Sequence, residues 1–328
     1  MKILVTGVTG FLGHHIAKDL LGEGHEVINF SRRHTSEVEE LGIRTHQGDL
    51  TNFQDIKDAL TGIDAVFHVA GKVGMWGKKE DFERINIDGT KNLLRAMKEA
   101  GVKYLVYTST PSVVFGKEEI KNGDESLAYP EIYLNEYART KSVAERLVLE
   151  ANEASSRQLL TTAIRPHLIY GERDKNIIPT LVERAKSGRL KIIGQGNNLV
   201  DINYVENASL AHVMAFKELI QEAKNQGKAY FIGQERPVNL WHFINEILMA
   251  KGVAPLTKKV SLKLVYLIGA ICEFIYKLIG KYEGQPAMTR FVALQMGTSH
   301  YFKHDNALKD FGYSPKISIE ESIEKIKN

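Results

Sequence analysis

The chain has 328 residues, of which 43% are hydrophobic and 25% are charged, values typical of a globular protein with a large buried core. Its 43 lysines and arginines nearly balance 40 aspartates and glutamates, and a net charge of +3 argues against a nucleic-acid partner. Cys272 is the only cysteine, which excludes an internal disulfide and a zinc site built from cysteines, and we expect no metal.

Short β-branched and apolar runs alternate with longer amphipathic stretches through the first half of the chain. The predicted strands are 2–6, 26–30, 43–46, 65–69, 104–108 and 161–164. The predicted helices are 11–21, 53–60, 79–100, 136–152, 205–217 and 239–250. Such alternation predicts βαβ units and an α/β fold with a Rossmann-type, doubly wound parallel sheet.

The alternation fades after Pro166, and the remaining chain is predicted to be mostly helical. A last strand at 229–233 is expected to return to the sheet. We therefore predict a cofactor-binding domain formed by 1–166 with about 205–235. A smaller, mostly helical substrate-binding region would comprise 167–204 and 236–328.

Three glycines spaced by three, Gly7, Gly10 and Gly13, lie between the first strand and the first helix. The first suits a tight turn, the second lets backbone N–H groups approach a pyrophosphate, and the third lets the helix pack closely on the sheet. This position predicts a dinucleotide site. The neighbouring residues expected to contact the cofactor are Thr9, Phe11 and Leu12.

The second strand is followed by Ser31, Arg32 and Arg33, where NAD-binding proteins normally carry a carboxylate for the ribose hydroxyls. A hydroxyl and two guanidiniums suit a 2′-phosphate instead, so NADP(H) is the preferred cofactor and NAD(H) the alternative. The other predicted cofactor contacts in this half of the chain are Asp49 and Leu50 at the adenine and Val69, Ala70 and Gly71 along the cofactor backbone.

Tyr137 and Lys141 are four residues apart on a predicted helix, so both side chains can face one ligand. An ammonium near a tyrosine favours its phenolate and so assists proton exchange near neutral pH. The preceding strand ends in hydroxyl residues at the edge where open α/β sheets bind ligands. Thr110 is predicted to hydrogen-bond a substrate carbonyl, with Ser109 and Ser112 as alternates; the competing interpretation is that these hydroxyls only cap a turn.

These motifs, together with Arg165-Pro166 and Tyr170-Gly171, resemble the extended short-chain dehydrogenase/reductase superfamily over essentially the whole chain. The segments His68–Gly77, Tyr107–Val113 and Tyr301–Pro315 are most similar to its branch of 3β-hydroxysteroid dehydrogenases, sterol-4-carboxylate 3-dehydrogenases and 2-alkyl-3-oxoalkanoate reductases. The resemblance implies that Asn86 supports the active-site backbone and that Lys141 also holds the nicotinamide ribose. Thr108, Pro166 and Leu168 complete the expected cofactor contacts. Most relatives carry serine at the position of Thr110, which is a departure from their pattern.

Nucleotide-sugar epimerases and dehydratases share the same core motifs and are the competing enzyme class. Where they tend to carry an Arg-Asp pair and a later histidine, this chain has Val200-Asp201 and Tyr204, which removes a partner for a diphosphate. Val73, Met75 and Trp76 offer an apolar wall instead, or part of an ordinary core.

Residues 258–281 combine lysines with many large apolar residues at helical spacing. The charges Lys259, Lys263, Glu273, Lys277 and Lys281 are predicted to form one stripe, with apolar residues filling the other faces. The charge-free stretch 264–272 is far shorter than the ~20 residues of a membrane span. The segment therefore predicts a pocket lid, a peripheral membrane contact, a homodimer contact or a core helix.

The sequence as a whole predicts an NAD(P)-dependent oxidoreductase of lipid metabolism. It would transfer a hydride between the nicotinamide and a ketone or secondary alcohol of a bulky hydrophobic substrate, either sterol-like or a 2-alkyl-3-oxo fatty acid. A regulatory protein that senses NADP is the non-enzymatic alternative, but such a protein would typically lack the Tyr137 and Lys141 pair. The chain enters its first strand with no signal-peptide region before it, so we expect a cytoplasmic location.

Overall fold

The computed structural model describes residues 1–327 and has a parallel sheet of seven strands at its centre. Strands in the first half of the chain are β1 (Lys2–Thr6), β2 (Glu26–Ser31), β3 (Arg44–Gln47), β4 (Ala65–His68), β5 (Tyr104–Thr108) and β6 (Ile120–Gly123). Those that follow are β7 (Leu160–Pro166), β8 (Ile169–Tyr170), β9 (Ile192–Ile193), β10 (Leu199–Val200), β11 (Asn203–Tyr204), β12 (Lys228–Ile232), β13 (Val238–Asn239), β14 (Lys259–Val260) and β15 (His300–Phe302).

Helices pack around this sheet and make up most of the second half of the chain. The helices up to the middle of the chain are α1 (Phe11–Gly22), α2 (Ser36–Glu39), α3 (Phe53–Ala59), α4 (Lys79–Phe82), α5 (Gly89–Ala100) and α6 (Glu136–Glu150). The later ones are α7 (Ile177–Lys186), α8 (Val205–Ile220), α9 (Leu240–Ala250), α10 (Leu262–Leu278), α11 (Arg290–Gly297), α12 (Asp305–Phe311) and α13 (Ile319–Lys327).

The strand order is β12-β7-β5-β4-β1-β2-β3, and every neighbouring pair is parallel. The predicted Rossmann-type, doubly wound sheet is therefore confirmed, including the late return of β12. The order reverses between β1 and β4, and at such a point a crevice opens beyond the carboxyl ends of the strands. Apolar side chains on both faces of the sheet are buried, as the near-continuous hydrophobic strands require.

The single helix predicted over 79–100 is divided in the structure. A π-helical turn, Glu83–Asp88, separates α4 from α5 and contains Asn86. A π-turn adds one residue to a helix and changes the direction in which its side chains project. Propensity carries no signal for such a turn, so the periodicity predicted one continuous helix.

Several short strands outside the central sheet were also missed. Four of them, β13, β10, β15 and β6, form a second sheet, and each has two to four residues. Runs of this length are too short to show a clear period of two, so the hydrophobic pattern did not reveal them.

Candidate active site

The glycine loop after β1 has the shape that a phosphate site needs. Gly7 has φ +85°, and its carbonyl accepts a 2.9 Å hydrogen bond from the Gly10 amide. A Cβ atom on Gly13 would lie 2.2 Å from the Gly7 carbonyl oxygen, so only glycine fits where α1 crosses the loop. Among the described residues no side chain caps the N-terminus of α1, so its first amides are available to bind an anion.

The loop after β2 carries two exposed arginines on a braced backbone. The Ser31 hydroxyl donates to the Arg33 carbonyl at 2.7 Å, and the Gln47 amide donates to the Arg32 carbonyl at 3.1 Å. Within residues 1–327, neither Arg32 nor Arg33 has a carboxylate within 4.0 Å. Both guanidiniums are thus available to an anionic ligand.

Asp49 lies near Arg32, beyond the end of β3. Burial raises the pKa of the Asp49 carboxyl group, but hydrogen bonds from Thr51 and the positive charge of Arg32 outweigh it and hold the pKa below its ordinary value. Leu50 beside it is buried. A charged residue, Asp49, and a buried apolar residue, Leu50, therefore lie side by side at the position where the sequence predicts the adenine of the cofactor.

Small residues follow β4 and pass directly over the glycine loop. The Thr6 hydroxyl accepts hydrogen bonds of 3.1 Å from the amides of both Val69 and Ala70. A Cβ atom on Gly7 would approach the Ala70 amide nitrogen to 3.0 Å. The ends of β1 and β4 are therefore held together at the point where the strand order reverses.

Asn86 connects this segment to the helix that carries Tyr137. Its side-chain oxygen accepts from the Lys72 amide at 2.7 Å, and its nitrogen donates to the Lys72 carbonyl and the Thr140 hydroxyl, both at 3.0 Å. All three bonds start from the π-turn, which explains why Asn86 can reach two elements at once. Asn86 therefore joins the backbone that follows β4 to α6.

Tyr137 and Lys141 lie on the first two turns of α6, which Asn135 caps by accepting a 2.7 Å hydrogen bond from the Ala138 amide. The Lys141 amine is buried, donates to the Thr108 carbonyl at 2.6 Å and lies 4.1 Å from the centre of the Tyr107 ring. Burial lowers the pKa of Lys141 to about 7, against the opposing influence of the Glu145 charge.

The pKa of Tyr137 differs from the sequence-based expectation. Burial raises the pKa of the phenol, and a hydrogen bond with the Thr110 hydroxyl partly opposes that rise. The Lys141 amine donates to the Thr108 carbonyl, and burial lowers its own pKa. Thr110 is the group that acts on the phenol.

The three hydroxyl residues after β5 take different positions. Thr110 caps a short 3-10 turn, accepting from the Ser112 amide at 3.2 Å, and its hydroxyl donates to Ser112 at the same distance. It therefore caps a turn and also lies beside Tyr137. Ser109 is buried near Glu145 instead, and its hydroxyl has no hydrogen-bond partner among residues 1–327.

A buried ion pair below Lys141 was missed in the sequence. Arg165 binds both oxygens of Glu145 at 2.7 and 2.9 Å, and the Tyr129 hydroxyl donates to Glu145 at 2.7 Å. Burial raises the pKa of Glu145, but the charge and hydrogen bonds of Arg165 outweigh it and keep the carboxyl group ionised. The available signal was spacing, since Glu145 lies one helical turn beyond Lys141 on the same face.

His68 forms a second buried connection that sequence reasoning missed. The Thr90 hydroxyl donates to the Asn86 carbonyl at 2.7 Å, so its oxygen must accept from Nε2 of His68 at 3.2 Å. Nδ1 is then the acceptor for the Thr6 hydroxyl at 2.9 Å. Burial lowers the pKa of His68 to about 3, so the ring is neutral and links β1, β4 and α5.

The end of β7 provides the last predicted cofactor contacts. Pro166 is buried at the carboxyl end of the strand, beside the end of β12. Leu168 has φ +42°, which a branched side chain rarely adopts. Strain of this kind is held in place by its surroundings and concentrates at functional sites.

The residues at the epimerase-like positions are part of the core. Asp201 is buried and accepts a 2.8 Å hydrogen bond from the Phe302 amide, while Val200 and Tyr204 are also buried. The Asp201 carboxylate thus holds β15, whereas the Tyr204 ring packs edge-on against Tyr170.

The predicted apolar wall is only partly formed by the residues named for it. Met75 is half-buried against Phe115 and Phe291, whereas Val73 is exposed. The Trp76 indole donates to the Lys281 carbonyl at 2.9 Å and so reaches the end of α10. No helix among the described residues is long and apolar enough to cross a membrane.

Comparison with known proteins agrees with this geometry. Residues 4–264 match the model of the 3-beta hydroxysteroid dehydrogenase/isomerase family. The 2-alkyl-3-oxoalkanoate reductases of Shewanella oneidensis and Stenotrophomonas maltophilia are 44% and 42% identical, over 98% and 100% of this chain and 84% and 98% of their own. The sterol-4-alpha-carboxylate 3-dehydrogenase, decarboxylating, of Mus musculus is 36% identical over 99% of this chain and 89% of its own.

A solved structure of UDP-glucuronic acid 4-epimerase from Bacillus cereus in complex with NAD has the same fold. It matches with a TM-score of 0.76 and 22% identity, covering 100% of this chain and 99% of the epimerase chain.

The fold, the glycine loop and the Tyr137–Lys141 helix together define an NAD(P)-dependent oxidoreductase of the extended short-chain dehydrogenase/reductase type. Within that class, the chain belongs to the 3-beta hydroxysteroid dehydrogenase/isomerase family.

The charge on Glu145 should be measurable at Lys141. Glu145→Gln removes the negative charge that raises the pKa of Lys141, so the titration midpoint of this amine should fall below pH 7. Carbon NMR of lysine-labelled protein would follow that midpoint. Glu136→Gln is the matched control, because Glu136 lies on the same helix and pairs with the half-buried Arg139.

The same variant leaves Arg165 buried without its partner, which should lower the free energy of unfolding by about 3–5 kcal/mol. Glu145→Asp keeps the charge and should keep the midpoint near that of the unmodified protein. If Glu145→Gln left the Lys141 midpoint unchanged or raised it, the electrostatic link described here would be wrong.

Proposed function

We propose that this protein reduces the 3-oxo group of long-chain 2-alkyl-3-oxoalkanoates to a hydroxyl group, using NADPH. The observation that carries the proposal is the cluster of Tyr137, Lys141 and Thr110 at the carboxyl ends of the central strands, in a chain 44% identical to a 2-alkyl-3-oxoalkanoate reductase. Open α/β sheets bind their ligands at that edge.

The names of the relatives point to one substrate pattern. In a 2-alkyl-3-oxoalkanoate, the reacting carbon is two bonds from a carboxylate, and the carbon between them carries an alkyl branch. A sterol-4-alpha-carboxylate that reacts at carbon 3 has the same arrangement within a ring. We therefore propose that the substrates of this protein are β-oxo or β-hydroxy acids with a large apolar body.

Each residue of the cluster has a separate role in the proposed reaction. The Thr110 hydroxyl and the Tyr137 phenol hydrogen-bond the substrate carbonyl oxygen, where negative charge develops. Tyr137 then gives its proton to that oxygen. Lys141 holds the nicotinamide ribose and, when charged, supports the phenolate that remains. The nicotinamide, when bound, supplies the hydride to carbon 3.

The rest of the predicted cofactor set supports the same arrangement. The pyrophosphate would lie at the loop that contains Gly7, Gly10 and Gly13, with the carboxamide of Asn86 bracing the floor. We assign cofactor binding to residues 1–166 with 205–235, since β12 belongs to the central sheet. Substrate binding falls to 167–204 and 236–328.

NADP(H) is the cofactor that the loop after β2 favours. Arg32 and Arg33 are exposed and, in the part of the chain that the structure describes, have no carboxylate within 4.0 Å. Charge-assisted hydrogen bonds from guanidinium to phosphate are among the stronger polar contacts in proteins.

A panel of alcohols would test the substrate assignment. Because β-oxo acids decarboxylate spontaneously, the stable 2-alkyl-3-hydroxy acids are assayed in the reverse direction by NADP+ reduction. A long-chain 2-alkyl-3-hydroxy acid should be oxidised with a kcat/KM at least about tenfold above that of its short-chain analogue, because each buried CH2 group stabilises binding by ~0.8 kcal/mol.

A 3β-hydroxysterol and a UDP-sugar complete that panel. If the sterol were preferred, the proposed substrate would be a sterol instead, and the family would stay the same. Conversion of the UDP-sugar without net cofactor reduction would replace the proposed activity with the epimerase one.

The cofactor preference is tested at Arg32. Arg32→Ala should weaken NADPH binding on the order of tenfold to 100-fold, as the loss of a charged hydrogen bond implies, and leave NADH binding nearly unchanged. Arg189→Ala, at an exposed arginine far along the chain, is the control. Equal affinities of the unmodified protein for NADH and NADPH would contradict the assignment.

A further inference from the structure

One side of α10 presents large apolar residues to solvent along its whole length. We call this set the exposed face: Leu264, Leu267, Ile268, Ile271, Phe274, Ile275 and Leu278, with Ile279 directly after the helix. Each of these side chains is at least 41% exposed, and Leu278 reaches 74%. Contiguous apolar surface of this kind marks an interaction site in most folded proteins.

The rotation of α10 about its axis is fixed by its opposite side. A Cβ atom on Gly269 would lie 2.6 Å from the Thr289 backbone, so the helix packs tightly against the start of α11. Glu273 is buried there and binds Arg290 at 2.7 and 2.8 Å. The core interpretation of the apolar residues is therefore wrong, and so is the placement of Glu273 on a charged stripe.

Positive charge without acidic partners borders the exposed face. Lys263 and Lys277 are exposed on α10, and Lys258 and Lys281 are exposed just before and just after it. In the described part of the chain none of these four lysines has a carboxylate within 4.0 Å. The only acidic residue of α10 is Glu273, which is already neutralised by Arg290.

Aromatic side chains with polar groups gather at the C-terminal end of the same helix. Trp76 stacks on Tyr282 with ring centres 6.1 Å apart and meets Tyr276 edge-on at 5.9 Å. Val73, on the same loop as Trp76, is 71% exposed. Trp and Tyr are enriched where proteins meet the boundary between lipid and water.

We propose that α10 lies in the plane of an anionic phospholipid bilayer surface, with its exposed face among the acyl chains. An apolar face bordered by lysines and aromatic residues is the pattern of interfacial helices, and anionic headgroups complement the four unpaired lysines. A second copy of this chain fits less well. An antiparallel pairing of two α10 helices would bring Lys263 of one copy beside Lys277 of the other.

One loop connects the exposed face of α10 to the proposed active site. This step rests on the proposed function. The loop from Gly71 to Gly77 starts at the cofactor segment and ends at the Trp76 contact with α10. Within it, Met75 accepts a weak 3.7 Å hydrogen bond from Asn135, which caps the helix of Tyr137. A long-chain substrate would pass from the bilayer along this loop.

Binding to vesicles tests the proposal without any assay of activity. The full chain should float with phosphatidylcholine vesicles that contain phosphatidylglycerol, and high salt should release part of it, because the lysine contribution is screened. Pure phosphatidylcholine vesicles should bind it more weakly. The fluorescence of Trp76 should shift to shorter wavelength on binding, whereas Trp241 is already buried.

A matched pair of variants locates the contact. Leu267 on α10 and Leu308 on α12 are both 56% exposed. Leu267→Glu should weaken vesicle binding by about tenfold or more, because a buried leucine is lost and a negative charge is added. Leu308→Glu should bind as the unmodified protein does. Both should melt normally, since neither side chain is in the core.

The charge contribution has its own control. Lys263→Glu combined with Lys277→Glu should remove the preference for anionic vesicles, whereas Lys103→Glu, at an exposed lysine beside β5, should not. Equal vesicle binding by Leu267→Glu and Leu308→Glu would overturn the proposal. So would a dimer of the unmodified protein in solution that Leu267→Glu converts to monomer, because α10 would then be a contact between copies.

Activity is measured separately so that the two proposals can fail independently. With an active protein, Leu267→Glu should raise KM for a vesicle-embedded long-chain substrate and leave KM for a short soluble one unchanged. Vesicle binding by a protein inactive on every 2-alkyl-3-hydroxy acid would keep the membrane contact and reject the substrate class.

Discussion

The amine of Lys141 is buried between α6 and the central sheet, and the residues around it determine how much of its charge it keeps. A buried amine loses charge unless partners compensate for lost hydration, and here the pKa falls to about 7. The Thr108 carbonyl and the Tyr107 ring contact the amine directly. Glu145 supplies the opposing charge one turn below, and Arg165 keeps Glu145 ionised while connecting α6 to β7. One connected group of side chains therefore joins α6 to the central sheet and sets the charge of the Lys141 amine.

The features that the sequence predicted correctly depend on local rules. Alternating hydrophobic runs indicated the parallel sheet, and the spacing of Gly7, Gly10 and Gly13 indicated a loop whose third position admits no Cβ atom. The features it missed depend on contacts between distant segments. The π-turn at Asn86 is stabilised by Lys72 and Thr140, and the partner of Glu145 is 20 residues away on another element. Neither leaves a periodic pattern to detect.

The helix over 262–278 shows where pattern reasoning reaches its limit. Its hydrophobic spacing is the same whether the apolar side is covered or exposed, and only the close approach at Gly269 and the Glu273 ion pair determine which side turns inward. The fold itself is shared with nucleotide-sugar epimerases at 22% identity. The differences lie in side chains: Val200, Asp201 and Tyr204 are buried, and the Asp201 carboxylate accepts a hydrogen bond from the Phe302 amide of β15.

Transfer of a labelled hydride would follow the proposed reaction itself. NADPH deuterated at carbon 4 of the nicotinamide, in each of its two configurations, would be incubated with a 2-alkyl-3-oxo ester that cannot decarboxylate. One of the two forms should deliver deuterium to carbon 3 of the hydroxy product. Tyr137→Phe should slow this transfer by roughly 10²–10⁴-fold without changing the Kd for NADPH. A product without deuterium, or a Tyr137→Phe variant that keeps most of its rate, would rule out the proposed reaction.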